Sequence, residues 1–296
     1  MTRSTGAIPV GLLLTWGSVA MGQPLADLPR TYLFLYAESP STALYAREHG
    51  SPYRHEPWMS DEQWERFYAN TRDSYPRLLD LLGTLEPDVF YMASNSSFQL
   101  FGMMEEDIPS VEQVRAQLQA QRLELAQYRA RGVEDVGFYR CAISIRGNPE
   151  QRHGIFALYD RWEQYAEVFG LGPRPPVDPL QWLQIRFDSG QPYIRAWDRP
   201  DAGGNVGYFC CPNNPYWRQF TLAMVRTGAR VGYTNLFVDN PMMFCKCRWC
   251  REAFHEHQRA RFTRQQWEEL FPDIPWGEGD IEDERLSVER QRFWED

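Results

Sequence analysis

Short apolar runs recur along the chain, and segments with helical spacing of apolar residues separate them. A continuous apolar run of four to eight residues is typical of a strand that is buried on both faces of a parallel sheet. Such runs predict four strands, near residues 31–37, 87–93, 135–143 and 234–239.

Helix signals lie between these runs. Residues 60–63 read Ser-Asp-Glu-Gln, a capping-box sequence, and precede a helical pattern that we expect Pro76 to interrupt. Residues 110–131 carry a second apolar stripe, with Gly132 where a C-terminal cap belongs, and residues 212–230 predict a third helix. Strands that alternate with helices indicate βαβ units and a parallel sheet.

Four such units make half of an eight-fold barrel. After Cys250 the pattern predicts only helices, over 255–271 and 283–295, and the acidic segment 277–284 is predicted to be a solvated connection. We therefore predict an α/β fold of the TIM-barrel (β/α)8 type over residues 26–296, of which only the N-terminal half is present. An insertion is expected at about 145–205. A small doubly wound sheet is the alternative.

The first 25 residues permit two interpretations. They contain Arg3, an apolar stretch and small residues near its end, which is the pattern of a weak signal peptide. The alternative is an N-terminal arm that packs on the domain. The first interpretation predicts a secreted or periplasmic protein and the second a cytoplasmic one, and neither provides a segment long enough to span a membrane.

Composition narrows the function classes. The net charge is −9 and no basic stripe occurs, which argues against a nucleic-acid-binding surface. Aromatic residues make up 15% of the chain and suit sugar faces as well as ordinary cores. The motifs of P-loop nucleotide binding, dinucleotide binding, zinc metalloproteases and serine hydrolases do not occur. A homo-oligomer is left open.

Three cysteines, Cys245, Cys247 and Cys250, lie within six residues. Their thiolates are close enough to converge on one tetrahedral ion at about 2.3 Å each, and a closed structural site needs a fourth ligand. A structural zinc is favoured over a catalytic one because three or four thiolates leave little room for an activated water. The candidates for the fourth ligand are, in order, Cys211 or Cys210, Cys141, and then His255 or His257. A reduced set, a disulfide-bonded set and an iron–sulfur ligand set are the alternatives.

Two carboxylates close predicted strands. Asp239 ends the fourth strand and is followed by Asn240 and Pro241, while Glu38 ends the first. Cleavage of a glycosidic bond needs two carboxyl groups, and a barrel carries its catalytic groups at the carboxyl ends of its strands. The ordinary alternatives are an Asp that caps the following turn and a solvated loop Glu.

Polar and aromatic residues near the other strand ends are candidates for binding a substrate. Their side chains could hydrogen-bond sugar hydroxyls or, for the tryptophan, stack on a sugar ring; the candidates are Asn95, Arg140, Asn213, Asn240 and Trp197. Trp197 lies in the insertion, whose own small core also requires aromatic residues.

These motifs carry a family resemblance. The stretches Cys211-Pro-Asn-Asn-Pro-Tyr-Trp-Arg, Leu236-Phe-Val-Asp239-Asn-Pro and Cys245-x-Cys247-x-x-Cys250-x-x-x-Phe254 resemble barrel proteins known as hypothetical glycosyl hydrolases. A similar Cys-x-Cys-x-x-Cys cluster follows the fourth strand of family 42 β-galactosidases, where it binds a structural zinc. The resemblance in motif covers residues 211–254.

The resemblance implies an (α/β)8 barrel that acts on the glycosidic bonds of a carbohydrate. It makes Asp239 either the nucleophile or, by analogy with family 42, the acid/base, and it implies that a second carboxylate comes from a later strand. We therefore expect a glycoside hydrolase-like protein with a structural zinc. The alternative is a non-catalytic, carbohydrate-binding or structural relative of such enzymes.

Overall fold

The computed structural model describes residues 32–38, 60–94, 108–194, 206–239 and 244–295, and these form a mixed α/β protein. Its strands are β1 (Tyr32–Glu38), β2 (Val89–Ser94), β3 (Asp135–Cys141), β4 (Ser144–Asn148), β5 (His153–Gly154), β6 (Val206–Phe209) and β7 (Asn235–Asp239). Its α-helices are α1 (Asp61–Leu85), α2 (Val111–Arg129), α3 (Ile155–Asp160), α4 (Trp162–Phe169), α5 (Pro215–Val231), α6 (Arg248–Arg261), α7 (Arg264–Leu270) and α8 (Ser287–Glu295).

The main sheet consists of the four predicted strands. They are parallel and lie in the order β1-β2-β3-β7, which confirms the predicted parallel sheet. The order contains no reversal, whereas a doubly wound sheet reverses direction at a switch point. The described strands do not close into a barrel, because β1 and β7 remain the edges of the sheet.

The two faces of this sheet differ. Phe90, Val136 and Phe138 are almost fully buried on the face that carries the helices; the Phe90 ring packs edge-on against Tyr128 of α2 at 5.2 Å. Tyr91, Tyr139 and Phe237 alternate with such residues and lie on the opposite face, where they are half-buried or exposed. Alternation along parallel strands therefore separates a helix-covered face from an aromatic face.

The predicted helices are present, but two of them differ from the prediction in where they are interrupted. Ser60 and Gln63 make the expected capping box, but α1 runs through Pro76 without interruption. A single proline removes one backbone hydrogen bond, and this long helix retains the burial of Leu79 and Leu82. The helix expected at 255–271 is two helices, because Thr263 caps α7 with its own capping box and so ends the preceding turn.

The insertion after β3 adds a second, antiparallel sheet to the fold. Strands β4, β5 and β6 form an antiparallel sheet in the order β5-β4-β6, and α3 and α4 lie between β5 and β6 along the chain. Its indole rings Trp162 and Trp182 contact each other at 6.2 Å and pack on Phe220 of α5. The described part of the insertion therefore packs into the large hydrophobic core that the main sheet and α5 share, which we call the first core.

A second hydrophobic core lies in the C-terminal part of the chain. It contains Phe254 of α6, Trp267 of α7 and Phe293 of α8, and three of the cysteines belong to it. We call residues 244–295 the C-terminal module. Within the described parts of the chain, no helix is long and apolar enough to cross a bilayer.

Candidate metal centre

Four cysteine side chains converge in the second core. The Sγ atoms of Cys211, Cys245, Cys247 and Cys250 all lie within 4.8 Å of one another. Cys211 Sγ is 3.3 Å from Cys250 Sγ and 3.6 Å from Cys247 Sγ. Four sulfurs bound tetrahedrally at about 2.3 Å would be about 3.8 Å apart, so this cluster has the dimensions of a four-thiolate metal site.

Local structure brings the ligands together. Cys247 is the N-cap residue of α6 and Cys250 lies in its first turn, where the positive end of the helix dipole favours thiolates. Cys211 comes from the turn before α5, in which the Asn214 backbone N–H donates to the Cys211 carbonyl at 3.0 Å. Asn214 also caps α5, so the fourth ligand is anchored to the main part of the fold.

Several N–H groups point at the sulfurs. The backbone N–H groups of Ile185 and Cys247 donate to Cys245 Sγ at 3.2 and 3.4 Å, and Asn213 Nδ2 lies 3.6 Å from Cys250 Sγ. Donors around a thiolate site stabilise its negative charge and orient the ligands. The four candidate ligands are therefore surrounded by N–H donors that could stabilise thiolates.

Proximity also perturbs the thiols themselves. Hydrogen bonds with Cys245, Cys247 and Cys250, together with burial, raise the pKa of the Cys211 thiol. Hydrogen bonds with Cys211, and then with Cys245 and Cys250, lower the pKa of the Cys247 thiol. Thiols packed this closely cannot all ionise on their own, because like charges repel in a buried site. A bound cation would remove this conflict, since a coordinating thiol is deprotonated.

A disulfide-bonded set of cysteines does not occur in the described structure. The 3.3 Å separation of Cys211 and Cys250 is far longer than the roughly 2.05 Å of a disulfide bond, and all six cysteines are free. Cys210 packs in the first core, Cys141 contacts Ser144 Oγ at 2.9 Å, and His257 stacks on Phe254. Cys211 is thus the cysteine that completes the cluster, and the metal that it would hold is not identified by this geometry.

The acidic segment 277–284 keeps most of its acidic side chains exposed, and two of them make ion pairs with Lys246 and Arg251. Glu282 pairs with Lys246, whose Nζ lies 2.7 Å away, and both Glu282 and Asp280 pair with Arg251. Lys246 lies between Cys245 and Cys247, and Arg251 follows Cys250, so these ion pairs tie the acidic segment to the cysteine motif. Two of the acidic residues, Asp280 and Glu282, therefore pair with basic residues of the cysteine motif while remaining exposed.

Asp239 and Glu38 end the two strands at opposite edges of the main sheet. The backbone of Asp239 pairs with Cys141, and that of Glu38 pairs with Ser94 after a register shift in β1. Three strand spacings separate β1 from β7, which amounts to about 14 Å along the sheet. The structure therefore describes the backbone positions of both residues at strand ends, as predicted.

Arg140 occupies a different setting from the one expected. It is buried on the helix face of β3, its Nε donates to Thr221 Oγ1 at 2.7 Å, and its guanidinium lies 5.7 Å from the Trp217 ring. Burial lowers the pKa of Arg140 to about 10. Strand alternation turns Arg140 away from the face of Tyr139 and Cys141, so its role in this structure is a contact with α5 and not a sugar contact.

The remaining candidates divide in two groups. Asn213 lies against Cys250 and belongs to the metal centre, although the sequence suggested a substrate contact. Asn95, Trp197, Asn240 and the N-terminal residues 1–25 lie outside the described residues.

The sequence did not predict the Ile185 N–H group as a donor to Cys245 Sγ. Nothing in an Ile-Arg-Phe sequence indicates a backbone contact with a sulfur 60 positions away.

Comparisons with known proteins give little further information. No protein-family model matches the chain, and no curated protein matches it. Among solved structures, the chain is similar to TtGalA, an alpha-galactosidase from Thermus thermophilus in complex with p-nitrophenyl alpha-D-galactopyranoside. That similarity has 17% sequence identity and a TM-score of 0.33, and it covers 55% of this chain and 26% of that one. The chain thus spans about a quarter of the length of that enzyme, and the resemblance to family 42 remains a prediction.

Proposed function

We propose that this protein is a zinc-stabilised, glycoside hydrolase-like α/β protein. The observation that carries the zinc assignment is the convergence of four Sγ atoms within 4.8 Å. Zinc is the usual ion of a closed four-cysteine site, and such a site is structural because it leaves no position for a reactive water.

The zinc would join two parts of the chain. Three ligands belong to the C-terminal module, and Cys211 belongs to the turn before α5. The ion would therefore hold the module that follows β7 against the main fold. In this way it would support the segment next to Asp239.

The proposed chemistry is cleavage of a glycosidic bond by carboxyl groups at the carboxyl ends of parallel strands. One protonated carboxyl group would give its proton to the leaving oxygen as the C–O bond breaks. The other would attack the anomeric carbon or take a proton from the water that attacks it, and the hydroxyl group of that water ends on the sugar. Asp239 and Glu38 are the proposed pair, and parallel strands in consecutive order are the arrangement in which a barrel collects such groups.

A screen with aryl glycosides tests this proposal. We expect release of the aryl group from at least one sugar, and Asp239→Asn to reduce the rate by roughly 10²–10⁴-fold. Asp188→Asn is the matched control, because Asp188 is an exposed acid that pairs with Arg186. Full turnover by Asp239→Asn would remove Asp239 from the catalytic role.

One observation favours the alternative of a carbohydrate-binding protein without catalysis. Within one chain Glu38 and Asp239 end strands about 14 Å apart along the sheet, whereas the carboxyl groups of glycosidases lie about 5–9.5 Å apart. Titration of the same sugars by calorimetry separates the two functions. Binding without turnover would support the alternative.

A further inference from the structure

The edge of the main sheet at β7 is open in the described structure. No described strand pairs with the outer side of β7. Val238 on this strand is 50% exposed and Phe237 is 40% exposed, and Leu222 on the neighbouring α5 is also exposed. An apolar edge strand is a template for pairing with another strand, and proteins rarely leave one uncovered.

The aromatic face of the same sheet is also incompletely buried. The Phe237 ring stacks on Tyr139 at 5.8 Å and meets the edge of Tyr91 at 6.2 Å. Gly137 between them leaves room for the Tyr91 ring, since a Cβ atom at Gly137 would lie 2.2 Å from Tyr91 Cε1. Inward-facing side chains of this kind fill the interior of a closed barrel.

We propose that a second copy of this chain closes the sheet into an eight-stranded parallel barrel. The described residues of each copy supply four parallel strands in consecutive order, which is half of the number in an eight-stranded barrel. A two-fold axis along the barrel would place β7 of each chain beside β1 of the other, with all strands parallel. The same contact would cover the open edge of β7 and enclose the aromatic face of the sheet. A second copy of the chain therefore accounts for both exposed surfaces.

This closure would complete the site on which the proposed function rests. Within one chain, three strand spacings lie between β1 and β7, but across the new junction there is only one, about 4.8 Å. Asp239 would then end the strand next to the one that ends at Glu38 of the partner subunit. This spacing suits the carboxyl separation of about 5–9.5 Å that glycoside hydrolysis uses. Each dimer would contain two such pairs, and a monomer would contain none.

Molar mass in solution tests the closure independently of activity. Light scattering of the full chain should give about twice the 34.8 kDa chain mass. Val238→Lys places a charge on the open edge and should give monomers that keep their fold by circular dichroism. Val288→Lys, at a 61% exposed position of α8, is the matched control and should remain dimeric. A folded wild-type monomer at every concentration would overturn the closure.

Complementation tests the shared site. Asp239→Asn and Glu38→Gln homodimers should both be inactive, because each of their junctions lacks one carboxylate. A heterodimer of the two variants, isolated through two affinity tags, retains one intact junction out of two. It should recover about half of the wild-type rate. An inactive heterodimer beside an active wild-type dimer would contradict the shared site.

The outcomes separate this inference from the proposed function. A dimer that turns over no glycoside contradicts the glycosidase proposal and leaves the closed barrel standing. An active monomer supports the glycosidase proposal and overturns the closure.

Discussion

The Sγ atom of Cys211 lies 3.3 Å from the Sγ atom of Cys250, although the two residues are 39 positions apart in the chain. Cys211 belongs to the turn before α5 and Cys250 to the first turn of α6, so this contact joins the main fold to the C-terminal module. A thiolate-bound ion at this point would cross-link the main fold and the C-terminal module.

Loss of Cys211 should therefore abolish tight metal binding. We expect Cys211→Ser to purify with far less zinc than the wild type, because three thiolates do not close a structural site. Cys210→Ala is the matched control, since Cys210 is the preceding buried cysteine and packs in the first core. The measurement is zinc content together with spectra of the cobalt-substituted protein. Equal metal content in Cys211→Ser would contradict the four-cysteine site.

Removal of the metal should loosen the C-terminal module selectively. Its core is small and contains Cys245 and Cys250, whereas the core around Trp162, Trp182 and Phe220 contains no ligand. Hydrogen exchange after treatment with a strong chelator should show faster exchange over residues 244–295 than in the metal-loaded protein. Residues 155–169 should keep their protection. Uniform loss of protection would mean that the two cores unfold as one unit.

Close packing between α5 and β3 makes Gly228 sensitive to substitution. A Cβ atom at Gly228 would lie 2.5 Å from Cζ of Phe138. Gly228→Ala should lower the free energy of unfolding by about 1–3 kcal/mol, measured by denaturant titration. Gly83→Ala in α1 is the control, because its nearest neighbour is the flexible Arg131 side chain, and it should be neutral or stabilising by up to about 1 kcal/mol. Equal effects of the two variants would contradict the packing.

The ion pair of Arg152 and Asp160 predicts that the free energy of unfolding depends on pH. A hydrogen bond from Arg152 lowers the pKa of Asp160 below its ordinary value of 3.8 in the folded chain. The pair therefore stabilises the fold at pH values above 3.8 and loses this contribution as the pH falls through the lower pKa of the folded state. Because both side chains are more than a third exposed, we expect about 0.2–1 kcal/mol.

Arg152→Gln should remove this contribution, so that the difference in unfolding free energy from the wild type shrinks as the solution is acidified. Arg72→Gln, which affects the exposed pair with Asp73, serves as the comparison and should have little effect at any pH. A difference for Arg152→Gln that grows towards low pH would reverse the predicted sign.

The main sheet and the thiol cluster could be predicted from sequence because both depend on local patterns. Apolar runs defined all four parallel strands, and the spacing of Cys245, Cys247 and Cys250 indicated a common ion. The fourth ligand was a choice between neighbours, since only the fold determines that Cys211 faces the second core and Cys210 the first.

Contacts between residues far apart in the chain could not be predicted from the sequence patterns. Arg140 looked like a strand-end residue, yet strand alternation turned it towards Thr221 on α5. The ion pairs of Asp280 and Glu282 could not be predicted, because their partner Arg251 is about 30 positions away in the chain. Such pairings depend on how α6 and the segment before α8 meet in space.

Zinc stoichiometry tests the four-cysteine centre most directly. The full chain, purified without chelator, should contain about one zinc ion per chain by elemental analysis, bound through four sulfurs at about 2.3 Å in X-ray absorption spectra. Zinc far below one ion per chain, or spectra dominated by nitrogen or oxygen ligands, would contradict it.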